Sequence, residues 1–308
     1  MIVVAGESLI DLIVGPDGRV EAIPGGGPYN VARTLGRLGC AVSFLGRLST
    51  DRFGSILRAG LAAEDVDLSL AQATEAPTLL AVAELDAGGG ARYRFYIDGT
   101  AAPELSATEL PDGLPATTTA LHVGTLGLVL EPMAASIEAF VAGIRADVLV
   151  VADPNCRPTA IRDPAGYRAR LGRILGRVDI VKVSVDDLAW LEPLSDPLEA
   201  ARRLLDRGPR AVLVTDGAHP VRLLTATGAT ELTVPTVRVI DTVGAGDAFC
   251  AGFLAAWTRD GHERADLAND EALAAATKFA IRVGALTTTR AGAEAPTLAE
   301  LAVDPAVG

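Results

Sequence analysis

The sequence has little positive charge and only three cysteines. Of its 308 residues, 27 are Lys or Arg and 39 are Asp or Glu, so the formal net charge is −12. A general nucleic-acid binder normally has a basic face, so the composition argues against that class, although a local site can still accept an anion. Cys40, Cys156 and Cys250 are widely separated and form neither a metal-ligand pattern nor a disulfide framework. Such cysteines are typical of a reducing cytoplasm.

Membrane segments and common phosphate motifs are also missing. No run of about eighteen apolar residues occurs, so no membrane span is predicted. The start, MIVVAGESLIDLIV, lacks the features of a signal peptide and is typical of a first strand. Neither lysine, Lys182 or Lys278, follows a glycine, so there is no P-loop, and no complete G-x-G-x-x-G occurs. If the protein handles ATP, backbone amides must replace the P-loop lysine.

Hydrophobic residues, in contrast, make up 49% of the chain, in short apolar runs that alternate with segments of helical spacing. This alternation indicates an α/β fold with a parallel sheet covered by helices on both faces. No linker divides the chain, so we expect one domain over residues 1–308. The strand-like runs are MIVVAG, AVSFLG, TALHVGTLG, VLVVADPN, DIVKVS and AVLVTDG, and the helix-like ones include NVARTLGRLG, MAASIEAFVAGIR, PLEAARRLLDRG and EALAAATKFAIRVGALTTT.

Two segments interrupt the alternation. Residues 12–24 have a hairpin pattern around Pro16-Asp17-Gly18, and residues 77–98 have another around Gly88-Gly89-Gly90. They predict either a small β lid that projects over a ligand site or a plain extension of the sheet edge. If a lid has an exposed edge, a homodimer formed through the lid is a natural way to cover it.

The segment DTVGAGDAFCAGFLAA places Asp247 at a glycine turn where a strand gives way to a helix. The first N–H groups of a helix lack partners inside it, and together with the helix dipole they form an anion site. A carboxylate there repels phosphate unless it has a task, such as accepting the proton of an attacking hydroxyl. The alternative is that Asp247 merely favours the helix N-terminus.

A second glycine-rich element, PGGGPYNVARTLGRLG, also precedes a helix. Backbone exposed at Gly25, Gly26 and Gly27, together with the Asn30 amide, can hydrogen-bond a polyhydroxylated ligand. The alternative is a tight turn capped by Asn30. In parallel sheets ligands bind outside the carboxyl ends of the strands, where these motifs are expected to lie.

Together, GGGPYNVARTLGRLG and DTVGAGDAFCAGFLAA resemble the two signature regions of the ribokinase-like (PfkB) family of carbohydrate kinases. The resemblance extends to GESLIDL near the start, GRLSTDRFG at 46–54 and TRAGAEAPTLAEL near the end. It implies a three-layer α/β/α sandwich with a mostly parallel central sheet and a small β lid. It also implies ATP- and Mg²⁺-dependent transfer of the γ-phosphoryl group to a primary hydroxyl of a monosaccharide.

The resemblance assigns the role of catalytic base to Asp247. It assigns the anion hole to the amides of Gly244, Ala245 and Gly246. Asp241 corresponds to a residue that in relatives helps to shape a monovalent-cation site, here for K⁺, and its simpler role is hydrogen bonding within the turn. The positions that hold sugar hydroxyls in the family correspond to Asp11, Gly25, Gly26 and Asn30.

On the nucleotide side, KVSVDDL matches a family motif usually written with Asn and Glu, which acts on Mg²⁺ and phosphate through water. This chain has Ser184 and Asp187, and a shorter carboxylate can still organise a hydrated magnesium ion. VTDGAHP matches the stretch under the nucleotide through Thr215 and Gly217, although Pro220 replaces a glycine. Where relatives approach the adenine, this chain has Gly292 and Ala293.

Three details favour fructose as the acceptor: GGPYNVA at 26–32, YRFYIDGTA at 93–101 and DPNCRP at 153–158 resemble fructokinase forms of these segments. In the last, Arg157 is expected to meet a phosphate or sugar oxygen or, alternatively, to pair with Asp153. Kinases for 2-keto-3-deoxygluconate, ribose or nucleosides stay open. A nucleoside kinase would be favoured by an aromatic pair around the base, for which the candidates are Tyr29 and Phe95 or Tyr96. A binding regulator without activity is a further alternative, against which the intact Gly244-to-Asp247 set argues.

Overall fold

The computed structural model describes residues 1–85 and 91–303. The fourteen strands in these ranges are short, and the parallel ones of the central sheet are almost entirely buried. In chain order they are β1 (Ile2–Ala5), β2 (Leu9–Val14), β3 (Val20–Gly25), β4 (Val42–Leu45), β5 (Arg47–Ser49), β6 (Gln72–Thr74), β7 (Leu80–Leu85), β8 (Ala91–Tyr96), β9 (Ala120–Gly124), β10 (Leu149–Asp153), β11 (Ile180–Ser184), β12 (Ala211–Asp216), β13 (His219–Thr225) and β14 (Gly228–Leu232).

The central sheet has eight strands in the order β14-β13-β12-β11-β10-β9-β1-β4. The six strands from β12 to β4 run parallel, and they are the six that the apolar runs predict. The antiparallel strands β13 and β14 extend one edge. The apolar runs predicted neither of these two strands, and in β14 four of the five residues are exposed, so it lacks an apolar pattern.

Helices cover both faces of this sheet. Within β1, Ile2 and Val4 pack into one core and Val3 and Ala5 into the other, as expected for strands buried on both sides. Helices α1, α2, α7, α8 and α9 contribute to the first core and α3 to α6 to the second, so the predicted three-layer α/β/α sandwich is confirmed. The helices are α1 (Gly27–Arg37), α2 (Arg52–Ala62), α3 (Met133–Ala142), α4 (Pro164–Leu175), α5 (Val185–Leu191), α6 (Pro197–Leu205), α7 (Ala245–Arg259), α8 (Asp270–Thr287) and α9 (Leu298–Val303).

A second sheet, separate from the first, has four strands in the order β3-β2-β7-β8. It contains the strands predicted within 12–24 and 77–98, although β2 begins earlier, at Leu9. The predicted turn at Gly88–Gly90 lies outside the described residues. The sheet is therefore not an extension of the central sheet's edge, and its action as a lid stays a prediction.

The described helices were also compared with the length and hydropathy that a membrane span requires. None of those in residues 1–85 and 91–303 is long and apolar enough to cross a bilayer.

Candidate active site

A cavity of about 1240 Å³ lies between the carboxyl ends of the central strands and the second sheet. Alternate residues of the second sheet face it, since strand side chains point to opposite faces in turn. The wall formed by this sheet is mostly apolar and contains one carboxylate. Its residues are Leu9, Asp11, Ile13, Ile23, Ala81, Ala83, Tyr93 and Phe95.

Asp247 lies in the first turn of α7 and lines this cavity, with only 8% of its surface exposed. Its Oδ2 accepts a hydrogen bond of 2.8 Å from the side-chain amide of Asn30 in α1. Burial raises the pKa of Asp247 to about 7, against the effect of the Asn30 hydrogen bond, which lowers it. The two glycine-rich motifs, remote in sequence, therefore meet at one carboxylate that titrates near neutral pH.

The helix start at Asp247 depends on a glycine. Gly244 caps α7 in the left-handed region with φ 74°, and a side chain there would collide with Ala293. The Ala245 N–H donates to the Thr242 carbonyl at 3.3 Å, within the turn. The next N–H groups of α7 have no carbonyl partner within the helix, as at any helix start, and such unpaired donors favour an anion.

On the sugar side of the prediction, Asp11 lies in β2 with its carboxylate against Gly25. Burial raises the pKa of Asp11 to about 6, and the charge of Arg157 acts in the opposite direction. The Arg157 guanidinium lines the cavity and donates to the carbonyls of Asn155 and Cys156 in its own loop. Gly26 and Asn30 also line the cavity, and Gly25 lies directly behind Asp11.

Lys182 is a cavity residue that the sequence analysis used only to exclude a P-loop. Its ammonium is buried in the central sheet and bonds Asp153 Oδ2 at 3.0 Å. Its Nζ lies 2.8 Å from the position that a Cβ atom on Gly246 would occupy, so the ammonium is next to this glycine. Burial opposes its charge, but Asp153 and neighbouring groups outweigh burial and raise its pKa. The signal in the sequence was a lysine inside an otherwise apolar strand.

Glu7 is a second charged residue of the site to which the sequence motifs assigned no role. It is fully buried just after β1. Its carboxylate accepts the Gly27 N–H at 3.3 Å and the Gly127 N–H at 2.8 Å. Burial raises the pKa of Glu7 to about 7 despite these backbone hydrogen bonds. Glu7 thus connects the first glycine-rich turn to the turn that follows β9. Its position directly after an apolar strand, in GESLIDL, was the available signal.

Most, but not all, of the residues predicted for the nucleotide side lie at the cavity surface. Ser184, Thr215, Gly217 and Gly292 line the cavity. Ala293 lies behind Gly244 rather than at the cavity surface. The side chains at this end are small, which leaves room for a large ligand close to the backbone.

Asp187 is buried behind Ser184. Its carboxylate accepts the Ser184 N–H and hydroxyl and also the Cys156 N–H, at 2.7 to 2.9 Å. It therefore holds the loop after β10 against the start of α5. The neighbouring Asp186 lines the cavity, and the sequence analysis did not single it out.

Asp241 joins the glycine turn to the segment near the C-terminus. Its carboxylate accepts the Val243 N–H at 3.0 Å and the Gly292 N–H at 2.8 Å. Over residues 1–85 and 91–303, no three His, Cys, Asp or Glu side chains group as metal ligands. The cavity-lining carboxylates of Asp186 and Asp241 are the kind of ligand suited to a cation that keeps most of its water and takes other ligands from a phosphate, as Mg²⁺ does.

The aromatic candidates for a base-binding pair do not come together. Tyr29 is fully buried in the core beside α2, where the Arg33 guanidinium lies 5.8 Å from its ring centroid. Phe95 faces the cavity, whereas Tyr96 is 53% exposed and lies outside its lining. The aromatic rings that line the cavity from β8 are those of Tyr93 and Phe95.

Comparison with known proteins finds similar sugar kinases. A fructokinase from Rhizobium leguminosarum bv. trifolii is 37% identical over 270 residues, which are 84% of this chain and 80% of the relative. The structure of a Xylella fastidiosa fructokinase with bound ATP has a TM-score of 0.89 at 30% identity, covering 98% of this chain and 96% of the other. A Vibrio cholerae fructokinase with fructose, ADP and calcium has a TM-score of 0.83 at 27% identity, covering 97% and 95%. The profile of the pfkB family carbohydrate kinases matches residues 1–300, and the chain belongs to that family.

Proposed function

We propose that the protein is an ATP-dependent sugar kinase that transfers the γ-phosphoryl group to a primary hydroxyl of fructose. The observation that carries the proposal is the buried Asp247 at the start of α7, bonded to Asn30 and facing a cavity large enough for a sugar and a nucleotide. The fructokinase relatives, and the fructose and adenine nucleotides named for them, support the choice of substrates.

In this proposal Asp247 accepts the proton of the attacking hydroxyl. Asn30 holds one carboxylate oxygen, which leaves the other directed at the substrate. Asp11 and the turn at Gly25 and Gly26 bind other sugar hydroxyls, because a half-buried carboxylate and the backbone of a glycine turn are suitable partners for them. The sugar is thereby oriented with its primary hydroxyl between Asp247 and the phosphoryl group.

In the proposed reaction, backbone amides and one cationic side chain bind the phosphoryl group. Of the three amides predicted for the anion hole, that of Ala245 donates to Thr242, so those of Gly244 and Gly246 are left for the transferring group, and Lys182 adds a positive charge beside Gly246. Arg157, at the cavity wall, faces phosphate or sugar oxygens. The nucleotide lies along Ser184, Thr215, Gly217 and Gly292, and Ala293 supports this wall from behind Gly244. Bound Mg²⁺ would offset the phosphate charge, and Asp187, whose carboxylate is taken up by protein donors, would act on it only indirectly by holding Ser184 in place. K⁺ near Asp241 would stabilise the turn.

The second sheet completes the proposed site as a lid. The cavity-lining residues described on its strands are apolar apart from Asp11 and the Tyr93 hydroxyl, so closure over the sugar would exclude water and limit ATP hydrolysis. We further propose a homodimer through this sheet, whose edge strands are β3 and β8, and a cytoplasmic location, since all three cysteines are free.

A substrate screen tests the proposal. ATP consumption is measured with fructose, ribose, 2-keto-3-deoxygluconate and nucleosides as acceptors, and the product is identified by mass and by NMR. We expect fructose to have the highest kcat/KM. Preference for another acceptor would contradict fructose alone. No turnover with any acceptor, while sugar and ATP still bind, would contradict the kinase and favour a binding regulator.

The pH dependence follows from the raised pKa of Asp247. A base must be deprotonated, so kcat/KM for the sugar is expected to be constant above about pH 7 and to fall about tenfold per pH unit below it. Glu7 titrates in the same range, so the acid limb belongs to the pair. Coupled assays from pH 5 to 9 measure this. A constant kcat/KM down to pH 5 would contradict Asp247 as a base with this pKa.

A further inference from the structure

Two residues at neighbouring strand ends have an unusual backbone conformation. Thr125 follows β9 with φ 50°, and Asn155 follows β10 with φ 38°. Asn tolerates this left-handed region, but a β-branched residue such as Thr is a genuine outlier there. Strain of this kind persists where the surrounding structure holds it, and it occurs most often at ligand-binding positions.

The two side chains meet inside the cavity. Both residues line it, and the Asn155 amide donates to the Thr125 hydroxyl oxygen at 3.3 Å. Because that oxygen accepts, the hydroxyl proton of Thr125 can be donated elsewhere, and the Asn155 carbonyl oxygen can accept. The pair therefore offers one donor and one acceptor, which is the complement of a single hydroxyl group.

The position of the pair relates it to the proposed base. A Cβ atom added to Gly27 would collide with the Thr125 hydroxyl and would lie 3.4 Å from Asp247 Oδ1. The strained turn is fixed from behind, because Glu7 accepts the N–H of Gly127 two residues further on. The hydroxyl is thus held rigidly on the same side of Gly27 as Asp247.

We propose that Thr125 and Asn155 form an additional sugar contact, which recognises one secondary hydroxyl of the acceptor near the hydroxyl that reacts. This contact rests on the proposed sugar kinase activity. A polar pair committed to one hydroxyl discriminates against acceptors that lack it, because its own buried groups are then left unpaired. The pair therefore contributes to the choice of sugar, separately from Asp247 and Asp11.

The test combines variants with mono-deoxy forms of the preferred sugar, one for each secondary hydroxyl. For the wild type, removing the recognised hydroxyl is expected to lower kcat/KM about 10- to 100-fold. T125V should lose a similar factor in kcat/KM with the parent sugar. Removing the recognised hydroxyl from the sugar should then cause no further loss in this variant. T125S, which keeps the hydroxyl, should retain the wild-type pattern, and the KM for ATP should not change in any variant.

Two further variants serve as controls for the effects of T125V. T125G removes the hydroxyl and accepts φ 50°, so it is expected to fold with an unchanged or higher Tm and to show the same sugar pattern as T125V. T277V is a matched control, since Thr277 is buried in α8 and donates to the Leu273 carbonyl away from the cavity.

The outcomes separate this contact from the proposed function. The contact would be overturned if T125V lost the same factor in kcat/KM with every deoxy sugar, or lost nothing with the parent sugar. Either result would leave a working kinase. Wild-type enzyme that turns over no sugar would overturn the proposed function and the contact together. Loss of the deoxy-sugar penalty in T125V and T125G, but not in T125S or T277V, would support the contact.

Discussion

Replacing Asp247 by Asn is expected to lower kcat by about 10²- to 10⁴-fold while the KM values for sugar and ATP change little. The Asn side chain is nearly the same size, and its carbonyl oxygen can still accept the hydrogen bond from Asn30. What is lost is the ability to take up a proton from the attacking hydroxyl. Steady-state kinetics with the preferred sugar, together with direct binding of both substrates, measure the effect.

D179N is a suitable control for D247N. Asp179 is also a buried carboxylate, and it accepts the Val150 N–H and pairs with Arg264, but it lies at the opposite end of the central strands. We expect D179N to lower Tm and to leave kcat and both KM values unchanged. Turnover of D247N close to that of the wild type would refute Asp247 as the base.

Removing the charge of Lys182 is expected to have the second largest effect. The ammonium lies beside Gly246, where the transferring phosphoryl group gathers charge in the proposed reaction. K182M is therefore expected to lower kcat by about 10²- to 10³-fold. It also leaves Asp153 buried without its cationic partner, which destabilises the fold by about 3–5 kcal/mol.

A double variant separates these two consequences. K182M/D153N removes both charges, so it is expected to recover most of the Tm that K182M loses while kcat stays low. D153N alone keeps the ammonium and should retain most of the activity. Wild-type kcat in the folded double variant would show that Lys182 only neutralises Asp153 and takes no part in phosphoryl transfer.

The sequence alone determined the layers of the fold and the two glycine-rich motifs. Apolar runs separated by helical spacing specify buried parallel strands, since only such strands are apolar on both faces. Glycine turns before helices likewise have a local cause, the unpaired N–H groups of a helix start. This is why six central strands, and the helix starts near Asn30 and Asp247, could be predicted without coordinates.

Tertiary structure decided which side chains lie close to one another. Glu7, Thr125 and Lys182 look like ordinary residues of strands or loops, and only the parallel register places them around one cavity. The same holds for Asp187, whose carboxylate is taken up by backbone and hydroxyl donors, and for Tyr29, which is buried in the core. The pKa near 7 at Asp247 also arises from burial by remote elements. Such properties depend on contacts between distant parts of the chain, which local pattern does not encode.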